Sequence, residues 1–153
     1  MPVPLSVQIL TVDELLPAAA EHFGSECTFR TEPLPMAPGV YVWSTDRRVL
    51  YIGSAKSLAA RVGDEKGWIA GYAPDDYWEV SVVHMLTVYS ATVQWIATAD
   101  HEGAVLLERR LIEWHRACVG MAPLVVGWEA KEGSPRKAAE QWAQRLWIRK
   151  FGQ

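Results

Sequence analysis

An α/β (α+β) fold is what this sequence predicts, on three observations. Two short runs rich in valine, tyrosine and isoleucine, "GVYVW" and "VLYIG", flank a polar turn within residues 39–53. A further strand-like run, "ATVQWIATA", occupies 91–99. Around them lie stretches that read as helices, the strongest of which, at 100–117, has the periodicity of an amphipathic helix.

Taken in order, "TVDELLPAAAEHF" begins with Thr11 as N-cap and carries Glu14 three residues later, a capping-box pattern. Pro17 lies deep for a helix start, so this helix is expected to be short or kinked. The proline-rich connector "TEPLPMAPG" leads to the hairpin. In "GSAKSLAARV", Ser57 is a plausible N-cap, and Leu58 and Val62 form an i, i+4 apolar edge. Residues 64–90 read as a loop followed by a strand or a short helix, and 100–117 as a strong helix. The last helix, 134–150, opens with Ser-Pro, an N-cap followed by proline at the first helical position.

Composition bounds the function. A length of 153 residues suits one domain, 1–153, with a real core. A net charge of -3 and a pI of about 5.8 create no strong global field towards nucleic acid. The distribution is uneven: acids gather in the first third and around Asp64–Glu79, whereas the tail holds Arg136, Lys137, Arg145, Arg149 and Lys150. The two cysteines, Cys27 and Cys118, suggest neither a disulfide framework nor a zinc site. No apolar run approaches the roughly 20 residues that span a bilayer, and a cytoplasmic protein is expected.

Three places carry candidate chemistry. If Tyr41 pairs directly with Tyr51, then Val40 faces Ile52, Val42 faces Leu50, and "STDRR" forms a five-residue turn. Both tyrosines then share one sheet face, either as a core aromatic pair or as two hydroxyls meeting at a site. Arg61 borders the apolar edge of the next helix, whose start offers N–H groups suited to a phosphate, or it is solvated surface. Glu108 sits near the middle of the apolar arc of the 100–117 helix, opposite Arg109, Arg110, Glu113 and Arg116. A buried carboxylate needs a cation, hydrogen-bond donors or a metal ion, so Glu108 is either half of a structural salt bridge or a metal or catalytic ligand.

Together these residues resemble the GIY-YIG nuclease family. "GVY" at 39–41 and "YIG" at 51–53 resemble its two signatures, at the family's spacing. "GSAKSLAAR", ending in Arg61, is most similar to the phage homing-endonuclease-like branch, and "LLERRLIEW" resembles the helix bearing the metal-binding glutamate, here Glu108. The resemblance covers about 37–127, leaving an N-terminal helical extension at 1–36 and the C-terminal helix 134–150. It implies a small three-stranded antiparallel or mixed sheet flanked by helices. It also implies a Mg²⁺- or Mn²⁺-dependent endonuclease that nicks or cleaves DNA.

In that reading Tyr41 is the candidate base or water-positioner and Tyr51 its partner, Arg61 clamps the phosphate, and Glu108 holds the metal. Gly39 and Gly53 allow close backbone approach, and nucleic acid is expected along Gly53, Ser54 and Lys56. Further phosphate contacts are expected from Arg136, Lys137, Arg149 and Lys150, or else the tail is a charged face that covers the core. DNA is the expected partner, with a protein partner or a homodimer for target recognition. Two positions depart from the family pattern: Ser54 stands where many members have lysine, and Val126 where asparagine is usual, in a chain without asparagine. The alternative is a catalytically weak or inactive nucleic-acid-binding or regulatory module on the same fold.

Overall fold

The structure is a computed structural model that describes residues 10–67, 77–123 and 134–152. A 3-10 turn over Val12–Leu15 runs into helix α1, Leu16–Phe23. The capping box forms, with the Thr11 N–H donating to Glu14 Oε1 at 3.0 Å. Pro17 falls in the first turn of α1, where its missing N–H costs nothing, so proline starts this helix instead of breaking it.

Strands β1 (Gly39–Ser44), β2 (Val49–Ala55) and β3 (Thr92–Ala97) form an antiparallel sheet in the order β2-β1-β3. The hairpin register differs from the sequence expectation by two residues. Tyr41 opposes Gly53, Val42 opposes Ile52 and Trp43 opposes Tyr51, with a shift between Trp43 and Ser44. The turn is the cause. Thr45 Oγ1 accepts from the N–H groups of both Arg47 and Arg48 at 3.2 Å, and the Thr45 N–H donates to Arg48 O at 2.9 Å. The threonine closes the loop tighter than five residues. A two-residue slip preserves the side-chain alternation, so Tyr41 and Tyr51 still share a face.

Each sheet face builds its own cluster. Val40, Val42, Ile52 and Ile96 pack with Ala104, Leu107 and Leu111 of helix α4 (His101–Val119), together with residues of α1 and of the last helix. On the opposite face Tyr41, Trp43, Tyr51 and Val93 pack with Leu58 and Val62 of helix α2 (Leu58–Gly67) and Val82 of helix α3 (Tyr77–Val88). The region read as a loop followed by a strand or short helix is thus the end of α2 and then twelve residues of helix, with 68–76 outside the described residues. Helix α5, Ser134–Phe151, lies along α4.

Helix α4, read from periodicity as 100–117, runs over His101–Val119. Asp100 caps it by accepting from the Gly103 N–H at 2.7 Å, and Gly120 ends it with φ of 93°. Its charged side is less open than periodicity alone suggests. Glu113 is buried against α5, bonded to Arg116 (3.2 Å) and near Arg136 (3.6 Å). The N-terminal segment reaches both sheet edges: the Val49 N–H donates to Leu10 O, and Arg30 and Trp95 exchange backbone bonds of 2.8 Å. Among the described residues no helix is long and apolar enough to cross a membrane.

Candidate active site

The hydroxyl of Tyr41 anchors a buried polar knot on the α2 side of the sheet. It donates to Glu65 Oε2 at 2.5 Å, while Trp43 Nε1 donates to Glu65 Oε1 at 2.8 Å. Arg61, one helical turn before Glu65, places Nε 3.2 Å from Glu65 Oε2 and 3.4 Å from the Tyr41 hydroxyl. Alternation along β1 puts Tyr41 and Trp43 on the same face, and α2 lies over that face. The i, i+4 spacing on α2 then turns Arg61 and Glu65 towards both rings.

Gly53 makes this arrangement possible. A Cβ there would stand 2.5 Å from Tyr41 Cζ and 2.7 Å from Tyr51 Cε2. The Tyr41 ring therefore crosses the space that any other residue at 53 would fill, and it meets the Tyr51 ring at a centroid distance of 5.9 Å. Tyr41, Tyr51 and Glu65 are all buried, whereas 39% of the Arg61 side chain remains exposed. Arg61 links the knot to solvent.

Electrostatics follow from this enclosure. Burial, then the neighbouring Tyr51 and Glu65, raises the Tyr41 hydroxyl well above its ordinary value, so it stays protonated and donates. Burial also raises the Glu65 carboxyl, against the bonds from Tyr41, Trp43 and Arg61 that favour its charged form.

The expected site residues separate into groups. Tyr41, Tyr51 and Arg61 come together on one face with Gly53 beneath them. Ser54 alternates to the other face, and Lys56 is exposed in the turn before α2. Glu108 is 1% exposed on α4, the helix that packs against the Val40–Val42 face. The first amides of α2 do not await a phosphate. The Leu58 N–H donates to Ala37 O at 2.9 Å and the Ala59 N–H to Pro35 O at 3.0 Å, so the proline-rich connector occupies them. In the tail, Arg149 pairs with Glu21 at 2.7 Å and Arg136 lies near Glu113, while Lys137 and Lys150 are exposed. Val126 lies outside the described residues.

Glu65 is the member that sequence reasoning missed, because 64–90 reads as an acidic loop. Its signal was the four-residue step from Arg61, which places the two on one side of a helix.

A sequence model of the UvrC-like GIY-YIG domain matches residues 37–117. The chain belongs to that family, and the match is to the UvrC-like domain where "GSAKSLAAR" had pointed to the phage homing branch. The UvrABC system protein C of Thermus thermophilus is 40% identical over 85 residues, 55% of this chain and 12% of that protein. Its counterpart from Geobacter metallireducens is 34% identical over 88 residues, 57% of this chain and 13% of that protein. The chain thus matches only about an eighth of the length of these relatives. The N-terminal endonuclease domain of UvrC from Thermotoga maritima, solved bound to magnesium as its catalytic divalent cation, is 23% identical. It covers 61% of this chain and 88% of that one, with a TM-score of 0.44.

Proposed function

We propose that this chain is a divalent-metal-dependent phosphodiesterase that nicks or cleaves DNA through a GIY-YIG site. The observation that carries the reading is the contact between Tyr41 and Arg61 over Gly53, in a chain that belongs to the UvrC-like GIY-YIG family. A guanidinium that bridges a buried hydroxyl and solvent suits a phosphodiester, since it supplies planar donors and a permanent charge. Tyr41 acts as a neutral hydroxyl that orients its neighbours, because burial disfavours its phenolate. Tyr51 backs it across the hairpin. A cytoplasmic setting and recruitment by a protein partner or a second copy accompany this reading.

Glu108 is the residue that would hold Mg²⁺ or Mn²⁺. Its donor type fits, since a hard carboxylate oxygen suits an ion that keeps several waters. When bound, the ion supplies a more acidic water and screens phosphate charge. The 1% exposure of Glu108 also requires that its carboxylate be uncovered before an ion enters. That enclosure favours a second reading, a nucleic-acid-binding or regulatory module that does not cut.

A plasmid-nicking assay separates the two. With Mg²⁺ or Mn²⁺ the parent chain should convert supercoiled to nicked plasmid, chelator should stop it, and Glu108→Ala should be inactive. Plasmid bound but never nicked would select the binding module.

A further inference from the structure

We propose that Glu65 is a positioning residue for the nuclease reaction, a buried carboxylate that sets the pose of Arg61 and thereby the phosphate clamp. This role rests on the nuclease reading above and names a residue outside the motifs that carried the resemblance. Three donors converge on Glu65: Trp43 Nε1 on one oxygen, and the Tyr41 hydroxyl and Arg61 Nε on the other. Arg61 is thereby held at Nε, the inner nitrogen of the guanidinium, whose terminal nitrogens lie further out along the same rigid plane.

A long arginine side chain has several rotatable bonds, and immobilising it on substrate costs conformational entropy. Glu65 removes that freedom beforehand. It also balances the charge of Arg61 inside the fold, so the guanidinium can stay half-buried beside two aromatic rings. Tyr41 contributes by donating to the carboxylate, which leaves its oxygen to accept from Arg61 Nε.

Glutamine cannot replace this carboxylate. Its amide has one acceptor oxygen and one donor nitrogen, so in either orientation an N–H group faces Trp43 Nε1 or Arg61 Nε, neither of which can accept. Tyr41 can reverse its hydroxyl; the other two cannot adjust.

The test is single-turnover cleavage of duplex DNA with Mg²⁺ by the parent, Glu65→Gln, Arg61→Ala and the double variant. Displacing a clamp by about 1 Å can cost about 10²-fold, so Glu65→Gln should lose roughly that much. The double variant should be no slower than Arg61→Ala alone, because Glu65 acts through Arg61. In ¹⁵N spectra the Arg61 Nε–H signal, assigned by its loss in Arg61→Ala, should shift and broaden in Glu65→Gln. If Glu65→Gln does not fold, Glu65→Asp serves in its place: it keeps the charge but is too short to reach all three donors. Parental cleavage by the Glu65 variant, the same fold-loss on top of Arg61→Ala, or an unmoved Nε–H signal would each overturn the role. A parent that does not cut withdraws the nuclease reading, and the Nε–H signal then still decides whether Glu65 holds Arg61.

Discussion

A single missing methyl group at position 53 lets Tyr41 lie across β2, and its replacement shows what that space is worth. In Gly53→Ala the new Cβ meets Tyr41 Cζ at 2.5 Å and Tyr51 Cε2 at 2.7 Å, both parts of rigid rings. Overpacking of this kind costs about 1–3 kcal/mol, which lowers the melting temperature by about 2–4 °C per kcal/mol. Calorimetry should show that drop, and nicking should fall with it as the ring is pushed off the knot. His115 gives a pH signature. It is buried with Nδ1 donating to Met121 O at 2.7 Å, and burial first, then the Arg116 charge, lowers its pKa from 6.5. The unfolded chain therefore binds the proton more readily, so stability is lost as pH falls from about 6.5 towards the lowered value. Urea unfolding across that window should show a slope that His115→Gln reduces. At this scale the motif made Tyr41, Tyr51 and Arg61 legible. Glu65 was hidden by its acidic neighbours, because composition reports a loop where the four-residue step from Arg61 reports a helix face.

Helix α5 divides its cations between docking and solvent. Arg149 reaches Glu21 and Arg136 lies near Glu113, whereas Lys137 and Lys150 are exposed. Lys137→Gln with Lys150→Gln should therefore flatten the salt dependence of DNA binding, by about 0.9 for each phosphate no longer neutralised, and leave the melting temperature unchanged. Arg136→Gln with Arg149→Gln should instead lower the melting temperature. Fluorescence anisotropy across a salt series, read beside thermal melts, distinguishes these outcomes; an unchanged slope in the lysine pair returns the tail to a purely structural role. Element identity was legible where punctuation was strong, at Thr11 with Glu14 and at Ser-Pro 134, and where periodicity was strong, at 100–117. It failed for α3, whose sequence "YWEVSVVHMLTV" is apolar or β-branched at most positions and shows no stripe by which to tell a helix from a strand. The hairpin register failed for a local reason, since the Thr45 side chain tightened the turn.

Across the whole molecule the residues expected from the family come from elements packed on both sides of the sheet. Tyr41, Tyr51 and Arg61 occupy the α2 and α3 side, and Glu108 sits on the helix that covers the other. Sequence could order these residues along the chain but could not assign them to layers, because α2 and α4 both show one apolar edge and only packing decides which face each covers. The same three-strand sheet has two outer strands, and the segment before it engages both, through Leu10 at β2 and Arg30 at β3. A sheet this small, left bare at its rim, is a template for another chain's backbone. The N-terminal segment, by covering both rims, is therefore expected to guard against self-association, a task separate from any role in catalysis. Arg30→Pro removes the N–H donated to Trp95 O and leaves the core residues in place. It should keep the far-ultraviolet circular dichroism of the parent yet form larger species as concentration rises in sedimentation velocity. If it stays as monodisperse as the parent, the strap at β3 is packing alone.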